Sequence, residues 1–166
     1  MSEPTQAFVP RFADDRLLPR NTLRSLPIAL LRAREAVMSH FRPMLAAYDV
    51  TEQQWRVIRV LAEAGTLDAS EVAEKAFILA PSLTRMIKSL EERGYITRSK
   101  DKEDGRRILL EVAPAGIALI NAVTPSTHAI YTEIEQRYGK ERVEHLIDLL
   151  EEMAMLKETS PAGREH

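Results

Sequence analysis

The chain contains no cysteine. That absence excludes disulfide bonds, a thiolate nucleophile, a cysteine-based peroxide sensor and any zinc site built on cysteine. A reducing cytosol is compatible with it. The four histidines, His40, His128, His145 and His166, are scattered, and none stands at metal-ligand spacing from another, so no metal is expected. Glycine is scarce as well. The six glycines stand apart along 166 residues, which excludes a Gly-rich phosphate loop. Six glycines and nine prolines are also too few for a disordered chain. The longest stretch free of Lys, Arg, Asp and Glu runs from Val112 to Thr132, and Pro114, Gly116, Asn121, Pro125, Ser126 and His128 interrupt it. It is too polar and broken to cross a membrane. The first twenty residues lack a basic start followed by an apolar core, so no secretory signal is expected and the location is read as cytoplasmic. The acid pairs Glu91-Glu92 and Glu151-Glu152 are neighbours in sequence, and adjacent helical residues do not face each other. Nothing couples a nucleophile to a base. No catalytic residue, no cofactor and no enzymatic activity are expected.

Aromatic residues make up only 5% of the chain, while Leu, Ala, Glu and Arg are plentiful. That composition favours helices. Residues 1–20 show no clean period and carry Pro4, Pro10 and Pro19, so they read as an extended arm. A helix follows, with Leu26, Leu30, Ala33, Val37, Phe41 and Leu45 recurring at three or four. Pro27 suits its first turn and Pro43 is expected to kink its end. In DVTEQQWRVIRVLAEAG, Thr51 and Gln54 form a capping box, Trp55, Ile58 and Leu61 make an apolar stripe, and Gly65 stops the helix. A short helix reads LDASEVAEKAFI, with Val72, Ala73 and Ala76 inward. Another runs from Pro81 to Arg93, with Leu83, Ile87 and Leu90 on one side. YITRSK and RRILLEV then flank Asp104-Gly105, a hairpin signal. Two helices close the chain. The first starts near Pro114 and passes Ile117, Ile120, Ile130 and Ile134, with a kink expected at Pro125. The second carries Val143, Leu146, Ile147, Leu150 and Met153. Residues 159–166 read as a frayed tail.

Two short helices joined by Phe77-Ile78-Leu79-Ala80, with a hairpin directly after, have the spacing of a winged helix-turn-helix. The fold class is therefore mainly α with a small β-hairpin wing, a winged helix-turn-helix with long terminal dimerisation helices. The outward face of the second helix carries Ser82, Thr84, Arg85, Lys88 and Ser89. Arg85 has the reach and fork geometry to grip a guanine edge. Ser82 sits near the helix N-terminus, where base contacts concentrate. Lys88 and Ser89, further along, suit backbone phosphate. At the hairpin tip, Arg106 is aimed at the minor groove, Asp104 is placed to brace it, and Arg107 alternates towards phosphate. Charge is sorted along the chain. From Pro81 to Leu110 eight cations face five anions, a net of +3, while the whole chain is −2. From Lys140 to Glu158 the balance is −3. A DNA-binding face needs local positive potential, not a basic protein. A nonspecific architectural DNA binder, or a protein-interaction winged helix, is the alternative.

The first helix and the last two present more apolar surface than one small winged domain covers, so a homodimer is expected. Such a dimer would read two half-sites about 34–36 Å apart. VTEQQWRVIRVL, ASEVAEKAFILAPSLTRMIKSLEERGYITR and DGRRILLEVAPAG together resemble the second helix, helix-turn-helix and wing of the multiple antibiotic resistance regulator (MarR) family. The resemblance covers about Thr22 to Glu158. Within the family, RSLPIALLRAREAVMSHFRPML followed by TEQQWRVIR is similar to repressors of homoprotocatechuate (3,4-dihydroxyphenylacetate) degradation operons. The resemblance implies a dimeric repressor of an aromatic-acid catabolic operon, bound to a pseudopalindromic double-stranded operator and released by a small aromatic carboxylic acid. It divides the chain into an arm (1–20), a dimerisation region (21–48 and 114–158), a DNA-binding domain (49–113) and a tail (159–166). It also places the effector near the first two helices, where Ser25, Arg32, Trp55 and Arg56 are candidates: a hydroxyl for a phenol, arginines for a carboxylate, a tryptophan to stack. Val112-Ala113 stands where the family often has Leu-Thr, leaving Pro114 to start the next helix.

Overall fold

The structure, a computed structural model, describes residues 24–155. The expected arm over 1–20 and tail over 159–166 lie outside the described residues. In chain order the elements are α1 (Leu26–Ala47), α2 (Glu52–Ala64), β1 (Leu67–Asp68), α3 (Ala69–Ala76), α4 (Ala80–Glu92), β2 (Ile96–Lys100), β3 (Ile108–Val112), α5 (Pro114–Tyr138) and α6 (Lys140–Ala154). By packing, the described residues divide at His40 into two units, 24–40 and 41–155.

The first unit is most of α1. Pro27 lies in its first turn, where a missing N–H has no consequence. Leu26, Leu30, Leu31 and Val37 are exposed. The helix does not stop at Pro43 but continues through it to Ala47.

In the second unit, each boundary has a local cause. Thr51 and Gln54 form the expected capping box on α2, and Gly65, at φ +81°, ends it. Asp68 and Glu71 form a second capping box on α3. Phe77 ends α3 in the left-handed conformation at φ +52°, a backbone state costing a non-glycine residue on the order of 1 kcal/mol. The left-handed residue is what lets the chain reverse into α4 within three residues. Pro81 lies in the first turn of α4, and Gly94, at φ +71°, follows its end.

The core gathers Val57, Ile58 and Leu61 of α2, Val72 of α3, and Leu83, Ile87 and Leu90 of α4. Ile96 of β2 and Leu110 of β3 close it from the sheet side. Each such aliphatic side chain contributes about 1.5–3 kcal/mol on burial. The sheet has three antiparallel strands in the order β1-β3-β2. Leu67 pairs with Leu110, Ile96 with Val112 and Lys100 with Ile108. The sequence pattern places Leu67 and Asp68 at the start of the short helix; the structure pairs both as a strand, and Asp68 also caps α3. This strand, β1, is two residues long and exists only through its pairing with β3.

The inward face of α5 runs through Gly116, Leu119, Ile120 and Val123, and Ile130 and Ile134 are half-buried further along; of the four isoleucines only Ile117 is exposed. Almost every residue near the start of α5 is small or apolar, so the sequence period alone does not pick a face. The helix includes Pro125 and extends to Tyr138. It packs on the end of α1: the Phe41 and Tyr131 rings meet edge-on at 5.4 Å, and the Tyr48 hydroxyl donates to the Ala122 carbonyl at 3.1 Å. Helix α6 buries none of its residues, leaving Leu146, Ile147, Leu149 and Leu150 exposed.

Candidate nucleic-acid interface

The buried stripe of α4 at Leu83, Ile87 and Leu90 fixes what the helix shows to solvent. Ser82, Thr84, Arg85 and Lys88 are exposed on the opposite side, as expected. Ser89, four residues beyond Arg85 and seven beyond Ser82, shares their side of the helix but is not free there. It is half-buried, and its hydroxyl accepts from Gln54 Nε2 at 3.4 Å, which ties α4 back to α2.

The hairpin departs from a two-residue turn. Strands β2 and β3 end at Lys100 and Ile108, leaving seven residues between them. This loop is stitched by its own aspartates. Asp101 Oδ1 accepts from the Glu103 N–H at 2.9 Å, and Asp104 Oδ1 from the Arg106 N–H at 3.0 Å. Asp104 therefore braces the Arg106 backbone rather than its guanidinium. Gly105 does not use the positive φ that an Asp-Gly turn would ask of it.

The two arginines of the wing have separate fates. Arg106 is exposed at the tip and makes no ion pair among the described residues. Arg107 turns inward against β1 and α3. Its guanidinium is 2.6 Å from Asp68 Oδ2, with Glu71 at 3.8 Å and Asp101 at 3.9 Å. Arg107, read from the sequence as a phosphate contact, is held in the free protein by three carboxylates that join the wing to the start of α3. Sequence reasoning missed this clamp because Asp68 and Arg107 are far apart in the chain, and only the β1–β3 pairing brings them together.

Asp68 carries two tasks: α3 cap and Arg107 partner. The Glu71 backbone N–H, then the Arg107 side chain, hold its carboxyl below the usual carboxylate range, and Asp68 in turn raises Arg107. Because folding lowers this pKa, the stabilising contribution is complete above the unfolded value, about 3.9. It is lost as pH falls through the lower folded value. The clamp is thus fully formed at neutral pH and opens only in acid. In a carboxyl-carbon NMR titration, Asp68 is expected to show a midpoint below about 3.9. Arg107→Ala should raise it part of the way, the helix cap persisting; an unmoved midpoint would rule the clamp out.

The remaining cations of the segment divide in the same way. Arg93 donates to the carbonyls of Asp49 at 2.6 Å and Tyr48 at 3.3 Å and lies over the Tyr95 ring at 4.8 Å. It fastens the end of α4 to the α1–α2 turn. Arg98 pairs with Glu91 at 3.0 Å and Lys88 with Glu92 at 3.8 Å. Arg85, Lys100, Lys102 and Arg106 make no ion pair among the described residues. Local positive potential comes chiefly from these four.

The effector candidates fall in both units. Ser25, half-buried, and Arg32, exposed, belong to the first. Trp55 and Arg56 belong to the second, on α2. Trp55 is half-buried against the core, and Arg56 donates to the Phe77 carbonyl at 3.4 Å. A cavity of about 650 Å³ lies in the second unit where α1, α2 and α4 meet, lined by Leu45, Asp49, Thr51, Gln54, Ser89 and Arg93 among others. None of the four candidates lines it. Among the described residues, no group of three His, Cys, Asp or Glu side chains is placed to hold a metal ion. No helix among them is long and apolar enough to cross a membrane.

A helix-turn-helix with an exposed polar second helix, a three-stranded sheet and a charged wing defines a winged-helix DNA-binding protein. Comparison with known proteins agrees. Residues 50–108 match the MarR family. The chain is 42% identical over 134 residues to the HTH-type transcriptional regulator FarR of Neisseria gonorrhoeae, covering 81% of this chain and 92% of that one. It is 41% identical over 132 residues to the homoprotocatechuate degradative operon repressor of Escherichia coli, covering 80% and 89%. It also resembles the crystal structure of NadR in complex with 4-hydroxyphenylacetate, with 40% identity, a TM-score of 0.73 and coverage of 84% and 99%. The chain belongs to the MarR family of winged-helix transcriptional regulators. Its relatives are regulators, not enzymes.

Proposed function

We propose that the chain is a homodimeric, cytoplasmic repressor of an aromatic-acid catabolic operon, released from its operator by a phenolic acid. The observation that carries this reading is the exposed face of α4 beside the wing, in a chain about two-fifths identical to a homoprotocatechuate operon repressor along most of both lengths. Residues 49–113 form the DNA-binding domain. Residues 21–48 and 114–158 form the dimer, a role supported by the exposed apolar side chains of α1 and α6. Two copies of α4 enter successive major grooves of a pseudopalindromic site. Ser82, Thr84 and Arg85 meet bases, Lys88 meets phosphate, and Ser89 steadies the helix against α2. Arg106 enters the minor groove, where a narrow A·T-rich stretch concentrates negative potential. Asp104 shapes the tip, and Arg107 anchors the wing that carries it.

The effector reading draws on NadR, which was crystallised with 4-hydroxyphenylacetate. Ser25, Arg32, Trp55 and Arg56 are the proposed contacts. A phenolic acid that favours a dimer with wrongly spaced recognition helices withdraws the population able to span both half-sites.

The test is retention of the DNA upstream of the chain's own gene by pure protein, measured against salt and against 4-hydroxyphenylacetate and 3,4-dihydroxyphenylacetate. Binding should fall steeply as salt rises and fall again with one of the acids. Trp55 is the only tryptophan, so its fluorescence should change on the same titration. No DNA binding sinks the repressor; binding with an unresponsive Trp55 sinks only the pocket.

A further inference from the structure

Along its outer side, α4 borders an open groove whose far edge is Arg98 of β2. Thr84, Arg85 and Lys88 line the groove together with Glu91 and Glu92. The DNA contacts expected from the sequence lie on α4 and at the wing tip and leave out the middle of β2. Yet the Arg98 guanidinium opens onto the same groove as Arg85 and Lys88. It is occupied there by an acid: Arg98 Nη2 lies 3.0 Å from Glu91 Oε2. Both side chains remain partly open to water, 47% for Arg98 and 33% for Glu91, so the pair is exposed and weakly held.

We propose that Arg98 is a DNA-backbone contact that exchanges Glu91 for a phosphate when the duplex seats against α4. This deepens the proposed function and rests on it. The physical reason is competition at short range. A carboxylate at 3.0 Å outcompetes a distant phosphate, whose pull is screened within about 8 Å in physiological salt. Once α4 enters a major groove, phosphates flank it on both sides. Arg98 then exchanges one exposed anion for another, and the phosphate releases its condensed counterion. Glu91 is the positioning residue: it keeps the guanidinium extended over the groove in the free protein and sets how much of the phosphate contact is realised as affinity. Lys88 and Glu92 make a looser version of the same arrangement, at 3.8 Å with both side chains largely exposed.

The experiment is a double-mutant cycle on full-length protein, with a duplex selected by the wild-type chain from a randomised pool. Arg98→Ala should weaken binding and flatten the log–log salt slope by about 0.9, as expected when one phosphate is no longer neutralised. Glu91→Gln should tighten binding by about two- to fivefold, the range of an exposed ion pair that no longer has to break. The decisive corner is the double variant. In the Arg98→Ala background most of the gain from Glu91→Gln should vanish, because no guanidinium is left to release. An equal gain in both backgrounds overturns the exchange and leaves only general repulsion between an acid and DNA. An unchanged slope for Arg98→Ala overturns the phosphate contact. A wild-type chain that selects no duplex from the pool removes the proposed function itself, a different outcome from any of these.

Discussion

Replacing Gly116 with alanine is expected to destabilise the fold by about 2 kcal/mol. Gly116 lies in the first turn of α5, buried against the end of the wing. A methyl group there would sit well inside contact distance of the Tyr95 carbonyl oxygen and 2.8 Å from Val112 Cγ2. The first of these neighbours is backbone. It is held in place, because the same carbonyl accepts the Ala113 N–H at 2.9 Å. Overpacking of this kind costs about 1–3 kcal/mol, and a backbone clash belongs at the upper end. Alanine is the better helix former by about 1 kcal/mol, which offsets part of the loss without reversing it. The melting temperature should fall by about 5–8 °C. Gly105→Ala is the control. Nothing lies within 4 Å of its added methyl, and its φ is not left-handed, so stability should stay within about 0.5 kcal/mol of wild type. A Gly116→Ala chain that melts with the wild type would mean that α5 does not approach the wing so closely.

That close approach illustrates what a single sequence can reveal. Gly116 reads as one more glycine near the start of an element; the reason for it is the Tyr95 carbonyl, brought over by the antiparallel pairing of β2 and β3. Features governed by neighbours in sequence were legible. The Thr51–Gln54 capping box, the buried stripe of α4 and the proline in its first turn all follow from spacing. So did the exposed set Ser82, Thr84, Arg85 and Lys88, since a strongly patterned helix declares both of its faces. Features governed by distant partners were not. Asp68 looks like a helix start, which it is, but its second role depends on Arg107. Ser89 looks outward by its polarity, yet Gln54 of α2 claims it. The wing arginines look alike in sequence and differ in place: one is at the tip, one in a nest of carboxylates. In α5 three of the four isoleucines are partly buried and Ile117 is not. A run of small and apolar residues has no polar side to orient it, so packing against Tyr95 and the end of α1 decides the face.

Arg85→Ala is expected to weaken binding to the true operator by roughly 5- to 150-fold, which corresponds to about 1–3 kcal/mol for one bidentate base pairing removed. Arg85 is the residue to choose because it is exposed on the face opposite the Leu83, Ile87 and Leu90 stripe and makes no ion pair among the described residues. No internal partner has to be released before it reaches a base, and none is left stranded when it is removed. The same variant should lose less on a duplex of random sequence, where only its charge against phosphate is removed and no base pairing is lost. The ratio between the two duplexes separates base readout from simple attraction to charge. Lys88→Ala supplies the contrast: with one phosphate left without its lysine, both duplexes should bind more weakly by a similar factor, and both salt slopes should flatten. If Arg85→Ala instead behaves like Lys88→Ala, with equal losses on operator and random DNA, α4 follows the backbone without reading sequence. The chain would then act as an architectural binder, and the specificity of any repression would have to come from the shape of the DNA or from Arg106 in the minor groove.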